Sequence, residues 1–289
     1  MKTKNLSPEG KFLPLKKAVL NPLVLLLCLV YLFPAYIILV NSFKNRAELY
    51  ENILALPATM SFRYYANAME RMNFPGALLN SFLVTSMSLF FIVVFTSMCA
   101  WMLVRSNNRL SKIIFMVFVA TMLIPFQTLM MPLMLEMSGI KRNLGIPMAD
   151  TLGALVYMNL GFGASMAVFL YHGFVKSIPR SLEEAATIDG CNTFGVFWRI
   201  VFPMLKPVTV TVMVLDVIWI WNDYLLPSLV LTSKANRTIP LSTASFFGEF
   251  TIQWNMAMAG LMLTIVPVII FYLCAQKYII KGVAAGAVK

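Results

Sequence analysis

The chain has 289 residues, of which 60% are hydrophobic and only 12% are charged, and its formal net charge is +11. Soluble globular proteins have about twice this share of charged residues. So few charges cannot cover the surface of water-soluble domains of this length. The composition therefore excludes a soluble protein and predicts an integral membrane protein.

Six long apolar stretches predict six membrane-spanning helices. A helix needs about 20 apolar residues to cross the hydrocarbon core, and lipid offers backbone N–H and C=O groups no partner outside the helix. The spans are predicted at residues 18–41, 79–103, 113–135, 152–174, 208–231 and 256–279. The predicted fold class is therefore an all-α membrane protein.

The positions of the basic residues predict the orientation of the chain. Six spans place both termini on one side, and 15 of the 23 Lys and Arg residues fall in segments on that side. Segments rich in Lys and Arg stay in the cytoplasm. We therefore expect a cytoplasmic N-terminal segment at 1–17, a single transmembrane domain at 18–281 and a cytoplasmic tail at 282–289. The positive charge reflects this topology and does not indicate nucleic-acid binding.

Motifs for catalysis and metal binding are missing from the sequence. The four cysteines show neither CxxC nor metal-ligand spacing. His172 is the single histidine, which excludes an H-E-x-x-H zinc site, and no G-x-x-x-x-G-K-S/T phosphate loop occurs. Gly161 and Gly163 are interpreted as sites where helices approach closely. We therefore expect neither a metal site nor catalytic machinery in this chain, and not an enzyme.

Two predicted outer loops, 44–78 and 233–255, are rich in aromatic residues. These residues are Tyr50, Phe62, Tyr64, Tyr65, Phe74, Phe246, Phe247, Phe250 and Trp254. They favour either an interfacial aromatic belt with short re-entrant helices or a surface that binds a partner.

The one long predicted cytoplasmic loop, 176–206, has a well-specified local structure. Ser181 and Glu184 have the spacing of a capping box, which predicts a helix that starts near Leu182. Gly190 is predicted to end that helix in the left-handed conformation, and a second helix is predicted to begin at Asn192. Two sets of residues each share one face of these helices: Leu182, Ala185, Ala186 and Asp189 in the first, and Phe194, Phe197, Trp198, Val201 and Phe202 in the second.

The two predicted helices together suggest an element that transmits movement. The first is short and polar, and the aromatic stripe of the second would hold it against the inner ends of the spans. Such an element can transmit a movement of a cytoplasmic partner to the membrane spans. A passive structured loop is the alternative.

The same loop carries a family resemblance. The run Glu183-Glu184-Ala185-Ala186 with Asp189-Gly190, followed by Ile200 and Pro203, resembles the EAA motif of ABC importer permeases. Segments 197–207, 221–227 and 276–289 are similar to the carbohydrate-uptake branch related to the maltose and multiple-sugar systems, in particular to its maltose-G-like permease. The resemblance extends from about the first span to the last residue. Cys191 stands where this branch often has a smaller residue such as Ala.

The resemblance implies a fold, a function and partners. The fold would be that of a type I ABC importer permease with six transmembrane helices, in the inner or plasma membrane of a prokaryote. The chain would import a sugar, and an oligosaccharide is the favoured substrate. Its partners would be a second, related permease, two copies of a cytoplasmic ATPase and an extracellular solute-binding protein. ATP and Mg would bind to the ATPase, and this chain would bind no cofactor.

The resemblance also implies residue roles. The loop would be the coupling helix, which docks into a cleft of the ATPase. Glu183 and Glu184 would face basic groups of the ATPase, Ala185, Ala186 and Gly190 would provide the close fit, and Asp189 belongs to the same motif. In the tail, Lys281, Gly282 and Gly286 would form a second contact with the ATPase.

Acidic and amide residues within the spans suggest two further roles. Asp216 and Asp223 are seven residues apart, which predicts that they lie on nearly the same face of the fifth helix. Buried acids in membranes face protein or water, so the pair suggests either hydrogen bonding between helices beside Pro227 or the proton relay of a secondary transporter. Asn80, Gln127 and Asn222, together with Asp223, are candidates for lining a sugar path.

Overall fold

The computed structural model describes the backbone of residues 9–248 and 252–287, and the side chains of residues 20–248, 252–273 and 276. Within these residues every regular element is helical, apart from one isolated antiparallel bridge between Phe247 and Ile252. This confirms the predicted all-α fold class. Residues 1–8 of the predicted N-terminal segment, Phe250, and residues 288–289 of the predicted tail lie outside the described residues.

The helices vary in length from a single turn to more than thirty residues. In chain order they are α1 (Glu9–Asn41), α2 (Arg46–Glu51), α3 (Arg63–Met72), α4 (Phe74–Ser106), α5 (Arg109–Thr121), α6 (Phe126–Leu144), α7 (Leu152–Val175), α8 (Arg180–Ile188), α9 (Thr193–Val196), α10 (Phe202–Met204), α11 (Lys206–Asn222), α12 (Leu225–Val230), α13 (Ile239–Thr243) and α14 (Trp254–Ala287). A π-helical turn at Phe197–Val201 joins α9 to α10, and 3-10 turns lie at Lys234–Asn236 and Ala244–Phe246.

Four of these helices are long and apolar enough to cross a membrane. They are Leu20–Asn41 within α1, the whole of α4, the whole of α7, and Trp254–Leu273 within α14. Two bent pairs meet the same criterion together, namely α5 with α6, and Thr193–Met204 with α11. The described residues therefore hold four candidate spans, or up to six if each bent pair counts as one.

The predicted third span, 113–135, is wrong as a continuous helix. Helix α5 ends at Thr121, α6 begins at Phe126, and their axes differ by 108°. Pro125 explains the break, because a proline lacks the N–H group of a helical residue and its ring clashes with the carbonyl four residues earlier. That carbonyl belongs to Thr121, the last residue of α5.

The predicted fifth span, 208–231, is also interrupted. Helix α11 ends at Asn222, and Asp223 has an extended backbone before α12 starts at Leu225. The cause is again a proline, because the ring of Pro227 excludes a helical carbonyl at Asp223. Asp216 and Asp223 therefore do not share a face of one continuous helix, and that prediction is wrong.

The chain forms two compact units. One comprises the described residues up to Ala68 together with the described part of Phe246–Leu263, and the other comprises Met69–Ser245 with the described residues from Thr264 onward. In the first unit the rings of Phe43, Phe62 and Tyr65 pack against one another with centroids 5.3–6.1 Å apart. The aromatic residues Phe62 and Tyr65 thus help to hold the segment that follows α1. The single-domain boundary at 18–281 stays a prediction.

In the second unit α4 makes its most extensive contact with α7, and α5 and α11 pack against both. Gly163 of α7 permits this closeness, because a methyl carbon at that position would lie 2.7 Å from Ile92 Cδ1. The interpretation of Gly163 as a close-approach site is therefore confirmed. A methyl carbon at Gly161 would meet nothing within 4 Å among the residues that the structure describes, so within this part of the chain the interpretation is wrong for Gly161.

Polar side chains fix the register of these helices. Asn159 Nδ2 of α7 donates to Ser88 Oγ of α4 at 3.2 Å, and Tyr171 OH donates to Thr209 Oγ1 of α11 at 3.0 Å. Hydrogen bonds between helices in apolar surroundings contribute about 0.6–2 kcal/mol each. They oppose sliding of α7 against its neighbours.

Candidate functional site

Helix α8, Arg180–Ile188, lies where the sequence predicts the first helix of the loop, but it begins differently. Pro179 is its N-cap, and no side chain caps the first turn, so the predicted capping box of Ser181 and Glu184 is wrong. Pro179 has the extended backbone that often precedes a helix, with φ −61° and ψ 132°. Its ring presets the backbone angle φ, so the helix can begin at the next residue without a side-chain cap.

The end of α8 confirms the prediction for Gly190. Its φ is +87°, in the left-handed region that favours glycine. The N–H of Cys191 donates to the carbonyl of Ala186 at 2.9 Å, and the N–H of Gly190 donates to the carbonyl of Thr187 at 3.0 Å. These two bonds form a Schellman motif, which satisfies the free carbonyls at the end of the helix.

The second predicted helix also starts where expected. The side chain of Asn192 caps it by accepting from the N–H of Gly195 at 2.7 Å. Phe197 and Val201 are completely buried, whereas Phe194 is 64% exposed. The predicted aromatic stripe is therefore only partly a packing face, because the π-helical turn adds a residue and shifts the register of the side chains.

Glu183 is engaged within the chain itself. Its Oε1 accepts from Arg105 Nε at 2.9 Å and from Arg105 Nη2 at 2.6 Å, and its Oε2 accepts from Trp101 Nε1 at 3.1 Å. The two charged side chains are only 16% and 12% exposed. Arg105 Nη2 also donates to the carbonyl of Ile178, and Arg180 Nη2 donates to the carbonyl of Arg105. Glu183 thus ties α8 to the C-terminal end of α4.

The remaining residues of the motif divide between two sides of α8. Ala186 is 7% exposed and packs in the hydrophobic core of the second unit. Glu184, Ala185 and Asp189 are exposed, and so is Ile188, at 85%. The predicted shared face of α8 is therefore wrong for Ala186, which turns toward its own chain. The exposed face combines acidic residues, a small residue and one large apolar residue.

Sequence reasoning missed three residues at this site: Trp101, Arg105 and Ile188. Trp101 and Arg105 are one helical turn apart at the end of a predicted span, a spacing that places both on one face toward an acidic loop. That spacing was the available signal for the contact with Glu183. Ile188 could have been recognised as an apolar residue beside the polar motif.

The amide residues predicted to line a sugar path occupy different environments. Asn80 is buried, and its Nδ2 donates to the carbonyls of Ala235 at 2.7 Å and Arg237 at 3.1 Å. Gln127 is exposed at the start of α6. Asn222 is also exposed, and its amide donates back to the carbonyl of Ile218 at 2.7 Å. The geometry therefore gives Asn80 a structural contact and leaves Gln127 and Asn222 accessible.

The two acidic residues of the predicted fifth span are held in different ways. Asp223 Oδ1 accepts from the N–H of Leu225 at 2.9 Å and of Leu226 at 3.4 Å, which caps α12. Asp216 is 5% exposed in α11, and its Oδ2 has no hydrogen-bond partner among the described residues. A methyl carbon at Gly163 would lie 3.6 Å from Asp216 Oδ1, so α7 covers this carboxyl group.

At the N-terminal end of α7, far from α8, hydrogen bonds join Asp150 to the segment 232–236. Asp150 Oδ1 accepts from the N–H groups of Thr232 and Ser233 and from the Ser233 hydroxyl, at 2.9–3.0 Å. The hydrogen bond from the Ser233 N–H is the main reason that the pKa of Asp150 lies below its usual value. Asn236 Nδ2 also donates to the carbonyl of Asp150. These bonds attach residues 232–236 to the start of α7.

The predicted tail contact falls at the end of α14. Lys281, Gly282 and Gly286 belong to this helix, which continues to Ala287. Their side-chain environments lie outside the described residues, so the role of the tail stays a prediction.

Comparisons with known proteins agree on one family. Residues 92–285 match the family model of the binding-protein-dependent transport system inner membrane component. The chain is 46% identical over 274 residues to AmyC of Thermoanaerobacterium thermosulfurigenes, a probable starch degradation products transport system permease protein, with 95% of this chain and 97% of AmyC covered. It is 32% identical to MelC of Bacillus subtilis (strain 168), a melibiose/raffinose/stachyose import permease protein, with 94% and 96% covered.

A solved structure shares the fold. It is a crystal structure of a bacterial ABC transporter involved in the import of the acidic polysaccharide alginate, and one of its chains matches with a TM-score of 0.76 at 22% identity. The match covers 96% of this chain and 99% of that chain. With the family match over residues 92–285, these findings show that the chain belongs to the binding-protein-dependent transport system inner membrane components.

Proposed function

We propose that this chain is one of two permease subunits of an ABC importer that carries an oligosaccharide into the cytoplasm. The observation that supports it most directly is α8, a short helix that is anchored on its own chain and exposes Glu184, Ala185 and Ile188. Relatives described as permeases for starch degradation products, for melibiose, raffinose and stachyose, and for arabinooligosaccharides support a sugar longer than one unit as the substrate.

We propose an orientation in which α8 and both termini lie in the cytoplasm. Each bent helix pair then counts as one span, which gives six spans in the inner or plasma membrane of a prokaryote. The excess of Lys and Arg on that side supports this orientation. Asp150 and residues 232–236 would then lie on the outer side.

The proposed assembly contains a second permease, two ATPase subunits and an extracellular solute-binding protein. ATP and Mg bind to the ATPase, and this chain contributes no catalytic group. When the ATPase subunits close around ATP, they move the docked α8, and the spans change from inward-facing to outward-facing. The binding protein releases the sugar into the outward-facing state, and ATP hydrolysis restores the first state.

The exposed face of α8 is the proposed docking surface. Ile188 and Ala185 fit an apolar cleft, because a large exposed side chain next to a small one forms a ridge that a groove can accept. Glu184 and Asp189 supply negative charge for basic groups of the ATPase. Gly190 permits the turn that follows. Ala186 and Glu183 support this surface from the side of the permease.

Cysteine labelling tests the docking surface. In a variant whose four native cysteines are replaced by serine, Ile188→Cys should react with a maleimide in the isolated permease and be protected once the ATPase is added. Leu144→Cys, which is 68% exposed at the end of α6, is the matched control and should react equally in both states. Equal labelling of Ile188→Cys with and without the ATPase would remove α8 from the interface.

Two secondary roles belong to the same proposal. Gln127 and Asn222, both exposed amides near helix breaks, are proposed to line the sugar path, with Asn80 and Asp223 supporting the backbone around it. Lys281, Gly282 and Gly286 are proposed to meet the ATPase as the end of α14. The proton-coupled alternative gains no support, because Asp216 and Asp223 lie on different elements and Asp223 caps α12.

The sugar itself is best identified through the solute-binding protein. Titration of the purified binding protein against starch fragments, raffinose-type sugars and arabinooligosaccharides should give tight binding for one oligosaccharide class. The same class should stimulate ATP hydrolysis by the reconstituted complex. Tight binding of amino acids or peptides, with no sugar bound, would reject the substrate class.

A further inference from the structure

We propose that Glu183 is a positioning residue that clamps α8 to α4, so that α4 transmits the movement of the coupling helix across the membrane. The inference deepens the proposed function and rests on it. It assigns Glu183 to the inside of the permease, whereas the family resemblance alone places it toward the ATPase.

The hydrogen bonds at Glu183 leave it little capacity for a partner. Oε1 already accepts two N–H groups of Arg105, and Oε2 accepts the indole N–H of Trp101. The carboxylate and the guanidinium are both largely covered, and water therefore screens their attraction only weakly. Glu184, the next residue, is exposed and free to face the ATPase. The two adjacent glutamates thus have separate roles.

The contact between α4 and α8 includes hydrogen bonds and ring packing in addition to the ion pair of Arg105 and Glu183. Arg105 Nη2 donates to the carbonyl of Ile178 at 2.9 Å, and Arg180 Nη2 returns a bond to the carbonyl of Arg105 at 3.1 Å. The ring of Trp101 packs on Phe197 with centroids 5.4 Å apart. The end of α4 is therefore hydrogen-bonded to residues before and within α8, and it packs against Phe197 after α8. A displacement of α8 must move this end of α4 or break several bonds at once.

Helix α4 is suited to transmit such a displacement. It runs unbroken for 33 residues, and no Gly or Pro follows Gly76 within it. Kinks in helices arise mainly at proline and glycine. Prolines do interrupt the helical structure between α5 and α6 and after α11. α4 is thus a stiff connection between its two ends.

The other end of α4 holds the outer segment. Asn80 donates to the carbonyls of Ala235 and Arg237, and Ser81 Oγ accepts from the N–H of Ile239 at 2.8 Å. About 36 Å separate Ser81 from Arg105 along the helix axis, at 1.5 Å per residue. One rigid helix therefore connects the coupling helix to residues 235–239 on the proposed outer side.

The experiment compares coupling with docking in the complete complex, reconstituted in liposomes with the ATPase, the partner permease and the binding protein. Glu183→Ala should leave the ATPase bound and hydrolysing ATP, while sugar uptake per ATP falls on the order of tenfold, within the usual range of coupling energies. Glu184→Ala should instead weaken ATPase binding. Glu51→Ala, an exposed glutamate at the end of α2, is the matched control and should change neither quantity.

A second set of variants separates coupling from simple damage. The charge exchange Glu183→Arg with Arg105→Glu should restore part of the uptake per ATP, because it rebuilds the ion pair. A fluorophore on Leu79→Cys, 56% exposed on α4 near Asn80, should report an ATP-dependent change that Glu183→Ala abolishes. Should Glu183→Ala fail to assemble, Trp101→Phe removes the indole N–H bond, keeps an aromatic ring beside Phe197, and should still lower uptake per ATP.

Three results would overturn the inference. One is that Glu183→Ala releases the ATPase as Glu184→Ala does, without changing uptake per ATP. The second is that the charge exchange restores nothing in an assembled complex. The third is that Trp101→Phe has unchanged uptake per ATP. Each of these leaves the proposed function standing, whereas a wild-type complex without ATP-driven uptake would refute the proposed function itself.

Discussion

A single methyl group at Gly163 probes the contact between α4 and α7. In Gly163→Ala the new carbon would lie 2.7 Å from Ile92 Cδ1, closer than real side chains approach, and Ile92 is completely buried. Inserting a methyl group into a filled core costs about 1–3 kcal/mol. Alanine also favours a helix over glycine by about 1 kcal/mol, so the net change alone is ambiguous.

Gly161→Ala resolves the ambiguity, because it lies two residues away in the same helix and its methyl group meets none of the described residues within 4 Å. It should gain the helix preference without the clash. The difference in free energy of unfolding between the two variants is then the packing cost itself, about 1–3 kcal/mol in favour of Gly161→Ala. Denaturation of the purified protein in detergent, followed by circular dichroism, measures this difference.

A rescue experiment assigns the clash to one atom. Ile92→Val removes Cδ1 and by itself costs about 0.5–1.5 kcal/mol. Combined with Gly163→Ala, it should destabilise less than the sum of the two single variants, because the 2.7 Å contact is gone. Equal stability of Gly161→Ala and Gly163→Ala, or strict additivity in the double variant, would refute the close packing of α4 on α7.

Three further predictions concern Gly190 in the turn after α8, Asn80 on α4, and Asp150 before α7. Gly190→Val should reduce uptake per ATP more than Gly190→Asn, because the φ of +87° strains a branched side chain and asparagine tolerates this region; equal effects would show that the turn does not matter. Asn80→Ala should lower the free energy of unfolding by about 1–3 kcal/mol, since it removes the two hydrogen bonds to the carbonyls of Ala235 and Arg237, while Asn222→Ala should change it by less than about 0.5 kcal/mol. The stability advantage of the wild type over Asp150→Ala, followed by thermal unfolding, should be complete above the ordinary pKa of about 4 and disappear as the pH falls through the lower pKa of the folded state; an advantage that grows on acidification would contradict the hydrogen bonds from Ser233.

The sequence was sufficient to predict the helices whose apolar stretches are uninterrupted. Helices α4 and α7 match predicted spans closely because hydrophobic length is a local property. The breaks at Pro125 and Pro227 follow equally from sequence, through the carbonyl four residues earlier. The apolar length of a stretch does not show these breaks, because a single proline barely lowers the mean hydropathy of the stretch.

The candidate site was predictable in position and less so in detail. Gly190 and Asn192 were recognised because a left-handed turn and an N-cap depend on single residue types. The contact that turns Glu183 toward its own chain depends on Arg105, which is 78 residues away in the chain. Ala186 was misplaced for a related reason, since a face of α8 cannot be assigned to solvent or core before its neighbours are known.

ATP-driven uptake in liposomes is the most direct measurement of the proposed function. The chain is reconstituted with its partner permease, the ATPase and the binding protein, and uptake of labelled oligosaccharide is followed. Uptake should require ATP and the binding protein and persist when a proton ionophore is added. Uptake by this chain alone, driven by a pH gradient and indifferent to ATP, would contradict the proposal.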